Sequence, residues 1–408
     1  MGEFENRIEN FDQVYRNYKE TGTYFYLQEV EKLNGARVQI SGKEYVMFSS
    51  YSYLGLLQHP EIDAFAKEAV DRFGTGTHGV RVLAGTTSLH VELEKKIADF
   101  MKVEDSIAYS SGFIANVASI ASLLGRHDIV ITDKLCHASI VDGCLLAQAK
   151  FQRFKHNDLK DLENQLIRAE KDGCKGKLVI VDAVYSMDGD VCPLPETLEI
   201  CNKYDAWLMV DEAHSLGVLG ETGRGLAEYF GMDPREIHLY SGSLSKTIPA
   251  VGGYVAGDKK TINYFRHNAR GFVFSAALPP AAVAAAIKSF EIIDTERWRL
   301  KQVRENIDYF IKNLNQIGFD TLNTQSCVIP IIIGQEEPTL QLTGLLHRDG
   351  MFVSPILPPA VPVNTCRLRA NVIASHTKED LDFALNLLEK HGKALGIIGG
   401  ENSASYSV

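Results

Sequence analysis

Between about residues 60 and 260 the hydrophobic positions follow two alternating rhythms. Short apolar runs read as strands: Ser106–Tyr109, Ile129–Thr132, Phe151–Phe154, Leu178–Asp182, Trp207–Val210, Ile237–Tyr240 and Tyr254–Ala256. The stretches between them carry helical spacing, including Val91–Phe100, Ile114–Leu124, Ser139–Ala149 and Leu159–Lys171. Apolar strands that alternate with helices predict an α/β fold with a mostly parallel seven-stranded sheet, covered on both faces. Ligands in such sheets bind beyond the carboxyl ends of the strands. Ser111, Ser186, Asp211 and Ser243 all fall at or just after predicted strand ends.

The flanks read differently. Residues 6–30 mix helical spacing with aromatics (Phe11, Tyr15, Tyr18, Tyr24, Phe25, Tyr26) and suggest an N-terminal arm. Val38–Phe48 predicts a hairpin around Ser41-Gly42. After about 285 a long helical stretch, Ala282–Ile311, leads into a smaller α+β segment. There, Thr377-Lys-Glu-Asp380 resembles a capping box, followed by an apolar face of Leu381, Ala384, Leu385 and Leu388. The expected organisation is an arm and hairpin over 1–58, a large domain over 59–285, a small C-terminal domain over 286–398 and a frayed tail over 399–408.

Composition narrows the function classes. The chain has 408 residues, 45% hydrophobic and 23% charged, as expected for a globular protein. A net charge of −10 with no basic run argues against nucleic acid as a partner. Seven scattered cysteines without a C-x-x-C spacing read as reduced thiols in a cytoplasmic protein, and they do not suggest a metal site. The polar, acidic N-terminus predicts no signal peptide, and Asn6 argues against myristoylation at Gly2. The most apolar stretch, Phe272–Ile287, is interrupted by Pro279-Pro280 and is too short to cross a bilayer.

The chemistry concentrates around Ser241-Gly-Ser-Leu-Ser-Lys246, which follows Asp211-Glu-Ala-His214. Lysine, an acidic residue at an apolar strand end and small hydroxyl residues form the set that holds pyridoxal phosphate. Most lysines lie on surfaces, but the apolar, glycine-rich residues after Lys246 argue for burial. Asp211 suits the pyridinium nitrogen, and a helix cap or structural ion pair would also explain it. His214 can reach the cofactor or the substrate. Tyr109-Ser-Ser-Gly-Phe113 joins a strand to a helix, a phosphate-binding arrangement that also occurs where nothing binds. Ser243 and Ser245 are candidates for the same phosphate. His137 begins a helix, where an imidazole can stack on a ring or serve structure alone. Arg367 and Arg369 share one face of a predicted strand, and either can grip a carboxylate or form a surface ion pair.

These segments together resemble the α-oxoamine synthases, fold-type-I pyridoxal phosphate transferases that include serine palmitoyltransferase, 8-amino-7-oxononanoate synthase, 2-amino-3-ketobutyrate CoA ligase and 5-aminolevulinate synthase. The resemblance runs from Tyr53-Leu-Gly55 to Ala374-Ser-His376. It passes through Gly79-Val-Arg81, Gly85-Thr86, Glu92-Leu-Glu94, Ser111-Gly-Phe113, His137-Ala-Ser-Ile-Val-Asp142, Ser186-Met-Asp-Gly189, Asp211-Glu-Ala-His214, Ser243-Leu-Ser-Lys246 and Arg369. It implies a Schiff base at Lys246, His137 stacked on the ring, Asp211 at the pyridinium, and Ser186 and His214 near the phenolic oxygen. It also implies cofactor contacts from Gly112, Phe113 and Ser243, beside the Ser111 and Ser245 hydroxyls already read as phosphate candidates, and from Ser275 of a second subunit in an obligate homodimer. Arg369 aligns with the carboxylate-binding arginine.

The implied reaction is a decarboxylative Claisen condensation of a small amino acid with an acyl thioester, carried by coenzyme A or an acyl carrier protein. His156-Asn-Asp-Leu159, Phe265-Arg-His-Asn-Ala-Arg270 and the double-proline loop look most like the serine palmitoyltransferase type, which favours serine. Glycine or alanine is the alternative amino acid, and an aminotransferase or aldolase the alternative reaction. Two positions depart from the family pattern and bear on substrate choice: Tyr51 replaces a frequent Asn, and Ala360 replaces a frequent Thr.

Overall fold

A computed structural model describes residues 2–399; the predicted tail from 400 onward lies outside the described residues. The chain divides into two compact units, residues 51–304 with 325–327, and residues 1–50 with 305–324 and 328–408.

The first unit is built on the predicted sheet. Its strands are β1 (Asp105–Tyr109), β2 (Ile129–Asp133), β3 (Lys150–Phe154), β4 (Lys177–Asp182), β5 (Trp207–Asp211), β6 (Leu239–Ser243) and β7 (Gly253–Gly257). They lie side by side in the order β1-β7-β6-β5-β4-β2-β3. The neighbouring pairs from β6 to β3 are parallel, whereas β7 runs antiparallel to both β1 and β6. The central strands β4, β5 and β6 are almost wholly buried, which explains their unbroken apolar runs. Register brings Asp182 opposite Asp211, and Asp211 opposite Ser241. The sheet thus sets chemically distinct side chains along one edge.

Two expectations shift. The strand expected at Ile237–Tyr240 begins later, at Leu239, because a short 3₁₀ turn over Pro234–Glu236 occupies the approach. The stretch Ala282–Ile311 is two helices, Pro280–Thr295 and Trp298–Ile317. Glu296 stands at the break outside helical geometry, and its carboxylate meets His59 Nε2 at 3.2 Å and Arg299 Nε at 2.6 Å.

In the second unit the predicted hairpin forms from Arg37–Ile40 and Lys43–Met47. The strand Cys366–Asn371 lies between Val328–Gly334 and Ser354–Ile356 in an antiparallel sheet. Arg367 and Arg369 are both buried on this middle strand, so neither is the surface ion pair that the sequence left open. Thr377 and Asp380 form the expected capping box at helix Lys378–Ala394. The Phe48 ring stacks on Phe310 at 5.4 Å and on His376 at 4.4 Å, centring this unit's core.

His156 ties together the ends of β2 and the loop after β4. Its Nδ1 lies 3.1 Å from Asp133 and its Nε2 2.8 Å from Asp190. Burial opposes its charge, but the two carboxylates outweigh burial and raise its pKa to about 10. Asp188 completes a cluster with His156 and Asp190. With both ring nitrogens protonated at neutral pH, His156 serves as a cation between carboxylates. The motif read as a substrate marker therefore has a structural use.

The His156→Gln variant should lose roughly 3 kcal/mol of stability at neutral pH, because it strips two largely buried carboxylates of their cation. The stabilising proton is fully bound below the ordinary imidazole pKa and leaves as pH rises through about 10. The gap between wild type and variant should therefore narrow with rising pH. Urea unfolding across that range checks this, and equal midpoints at neutral pH would refute it.

Candidate active site

Strand ends and helix starts of the first unit converge on a cavity of about 230 Å³. Its lining comprises Ser111, Gly112, Phe113 and Asn116 after β1, His137 and Ser139 after β2, and Asp182 and Val184 at β4. Asp211, Ala213 and His214 come from β5, and Gly242, Ser243, Ser245 and Lys246 from β6 and its following segment. The location follows the rule for open α/β sheets.

One wall is the N-terminus of helix α1 (Gly112–Leu123). Ser111 is extended and caps it, its Oγ accepting the Ile114 N–H at 3.1 Å. The first turn rests against the sheet because glycines leave room. A Cβ on Gly112 would stand 3.0 Å from Ser243 Cβ, and one on Gly253 would stand 2.4 Å from the Gly112 nitrogen and Cα. Ser243 and Ser245 meet there, their hydroxyls 2.7 Å apart. Backbone N–H groups of a helix start beside two hydroxyls make a cradle for an anion.

Asp211 ends β5 and is buried. Its Oδ1 accepts the Ala213 N–H at 2.9 Å, and its Oδ2 accepts from Asn116 Nδ2 at 2.7 Å. Asp182, opposite in the sheet, behaves differently. Burial, and then the neighbouring Asp211 and Asp133, push its carboxyl well above the usual carboxylate range. Asp211, the carboxylate supplied with donors, is the better seat for a cationic ring nitrogen.

His137 caps helix α2 (Ala138–Leu146), with Nδ1 2.7 Å from Ser139 Oγ. Burial lowers its pKa, opposed by Asp211 and assisted by Lys246, so the imidazole is neutral at neutral pH. His214 Nδ1 lies 2.6 Å from the hydroxyl of buried Tyr53. Lys246 is half-buried, less covered than its apolar neighbours suggested, and its Nζ lies 5.4 Å from the Tyr51 ring centre. Fully buried Ile248 anchors the chain just beyond it.

The cavity therefore unites Lys246, Asp211, His137, His214, Ser111, Gly112, Phe113, Ser243 and Ser245. Ser186 and Ser275 do not line it, and Arg369 belongs to the other unit. Sequence reasoning missed Asn116, Ser139, Asp182 and Tyr53. Asn116 did leave a signal, as a polar side chain within an apolar helical run. An amine, a donor-supplied carboxylate and an anion cradle on the walls of one cavity match the aldehyde, ring nitrogen and phosphate of pyridoxal phosphate.

Comparison with known proteins agrees. A family model for aminotransferase class I and II matches residues 43–388. An 8-amino-7-oxononanoate synthase of Thermoanaerobacter pseudethanolicus is 43% identical over 380 residues, covering 93% of this chain and 96% of that protein. A serine palmitoyltransferase of Sphingobacterium spiritivorum is 40% identical over 384 residues, covering 94% and 95%. The solved Sphingomonas wittichii serine palmitoyltransferase aligns with a TM-score of 0.93 at 33% identity, over 98% of this chain and 100% of that one. The Francisella tularensis 8-amino-7-oxononanoate synthase aligns with a TM-score of 0.75 at 26% identity, over 86% and 98%.

Gly253→Ala would force the start of α1 away from β7. A displacement near 1 Å should weaken pyridoxal phosphate binding by about 10- to 100-fold. Equilibrium titration of the apoprotein checks this; unchanged affinity in a folded variant would show that the cradle does not hold the phosphate.

Proposed function

The chain belongs to the α-oxoamine synthases within the aminotransferase class I and II family, and on that premise we propose how its own residues carry out the family's condensation. The enzyme joins a small α-amino acid to an acyl thioester. A bond forms between the amino acid's α-carbon and the acyl carbonyl carbon, the thiol departs, the α-carboxylate leaves as carbon dioxide, and an α-amino ketone remains. Pyridoxal phosphate, when bound, supplies the electron sink for negative charge at the α-carbon. The observation that carries the site reading is the convergence of Lys246, Asp211 and the α1 anion cradle on one cavity.

Lys246 Nζ would hold the cofactor's aldehyde carbon and, once displaced by substrate, take the α-proton. Asp211 would pair with the ring nitrogen. His137 would cover the ring face, and His214, oriented by Tyr53, would reach the phenolic oxygen with Ser186. Gly112, Phe113 and the hydroxyls of Ser111, Ser243 and Ser245 would take the phosphate. Arg369, buried on its strand, would bind the substrate carboxylate. Tyr51, beside Lys246, would shape the amino-acid pocket.

Serine with a long acyl chain is the first substrate reading, supported by the structural alignment with serine palmitoyltransferase. A second reading, alanine or another small amino acid, is favoured by the 43% identity to an 8-amino-7-oxononanoate synthase. The thioester carrier is coenzyme A or an acyl carrier protein. We assign the working enzyme to a homodimer in which Ser275 contacts the partner's phosphate. Exposed Leu83 and Phe274 near the Val80–Ala276 bridge support a covered apolar face. Among the described residues no helix is long and apolar enough to cross a membrane. Seven free cysteines support a cytoplasmic location.

Holoenzyme given serine, alanine or glycine with a long-chain or dicarboxylic acyl-CoA should release carbon dioxide and thiol in equal amounts with one amino acid. Amino-group transfer without any thioester would overturn the condensation. Lys246→Ala should bind cofactor but retain none covalently after borohydride reduction. Covalent retention equal to wild type would remove Lys246 from its role.

A further inference from the structure

Asn116 and Ser139 are buried, line the cavity and bridge Asp211 to His137. Asn116 Nδ2 lies 2.7 Å from Asp211 Oδ2 and 2.9 Å from Ser139 Oγ. Ser139 Oγ lies 2.7 Å from His137 Nδ1, and the Ser139 N–H donates to that nitrogen at 3.3 Å.

The direction of these bonds is fixed by chemistry. A carboxylate accepts only, so the amide nitrogen of Asn116 faces Asp211. The second N–H of the same amide goes to Ser139 Oγ, which is therefore an acceptor on that side. The serine hydroxyl proton is free to point at His137 Nδ1. A backbone N–H points there too, so Nδ1 holds a lone pair and the ring proton sits on Nε2. Reversing the amide would put Asn116 Oδ1 against the carboxylate, a repulsive contact.

We infer that Asn116 and Ser139 are positioning residues that hold His137 as the neutral tautomer with its proton on Nε2 and couple that state to the charge of Asp211. The charged or titratable groups around the ring are Asp211 from β5, Lys246 from the segment after β6, and the Asp182 carboxyl from β4, which accepts the His137 backbone N–H at 3.2 Å. Burial itself favours the neutral ring. The tautomer rests on this chain's own hydrogen bonds. Its consequence rests on the proposed function: His137 offers the substrate a donor, Nε2–H, and cannot serve as a base through that atom.

The test is nitrogen NMR of the apoprotein labelled at histidine, with the His137 signals identified by their loss in His137→Asn. Wild type should show a bare Nδ1 and a protonated Nε2 across neutral pH. Ser139→Ala removes a donor to Nδ1, so it should mix the tautomers and raise the His137 titration midpoint by roughly half a pH unit or more. Asn116→Ala should shift the midpoint in the same direction but less, and Ser139→Thr should restore the wild-type pattern. A protonated Nδ1 in wild type overturns the inference even if no variant folds. An unchanged tautomer and midpoint in Ser139→Ala overturns it as well. Because the readout needs neither cofactor nor turnover, failure of the condensation assay leaves this result standing, and the reverse also holds.

Discussion

A carboxylate held away from water at the end of a central strand requires partners in every direction, and Asp211 organises the site through that requirement. Backbone supplies one donor through Ala213, and helix α1 supplies another through Asn116. Burial and then Asp211 itself push the carboxyl of the adjacent Asp182 well above the usual range. On the cavity side, which Lys246 also lines, the proposed partner of Asp211 is a protonated ring nitrogen. The proposed pairing would tie cofactor affinity to that electrostatic demand.

The anion cradle answers a steric demand. Helix α1 can offer its first N–H groups only if its backbone touches the sheet, and Gly112 and Gly253 permit that approach where any side chain would collide. The amine of Lys246 lines the same cavity, on a segment anchored by Ile248. The more flexible lysine is therefore placed by rigid surroundings.

The sheet strands were legible because burial on both faces leaves unbroken apolar runs, as in Leu178–Asp182. The site was legible where chemistry is rare, as with Lys246 after Asp211 and His214. Asn116 left only the mark of a polar side chain in an apolar helical run, and Ser139 left none, because whether such a residue faces solvent or a carboxylate is decided by the tertiary fold. The structural use of His156 was hidden for a related reason: its partners, Asp133 and Asp190, are distant in sequence and meet it only through the parallel sheet. The break at Glu296 escaped because no proline or glycine marks it; His59, distant in sequence, takes up its carboxylate. Ser275 does not line the cavity, and only the proposed homodimer would bring it to a phosphate.

The antiparallel insertion of β7 also governs when the enzyme comes into being. Strand β1 has β7 as its sheet neighbour, so Asp105–Tyr109 leaves the ribosome long before Gly253–Gly257 exists to pair with it. Until then the strand edge is open and the start of α1 has nothing to rest on. The nascent chain therefore cannot use the vitamin as a folding template; it must complete most of the larger unit before the phosphate has a seat. Protection of that waiting edge falls to collapse of the surrounding helices or to a chaperone, an expense incurred during synthesis that leaves no trace in the finished active site.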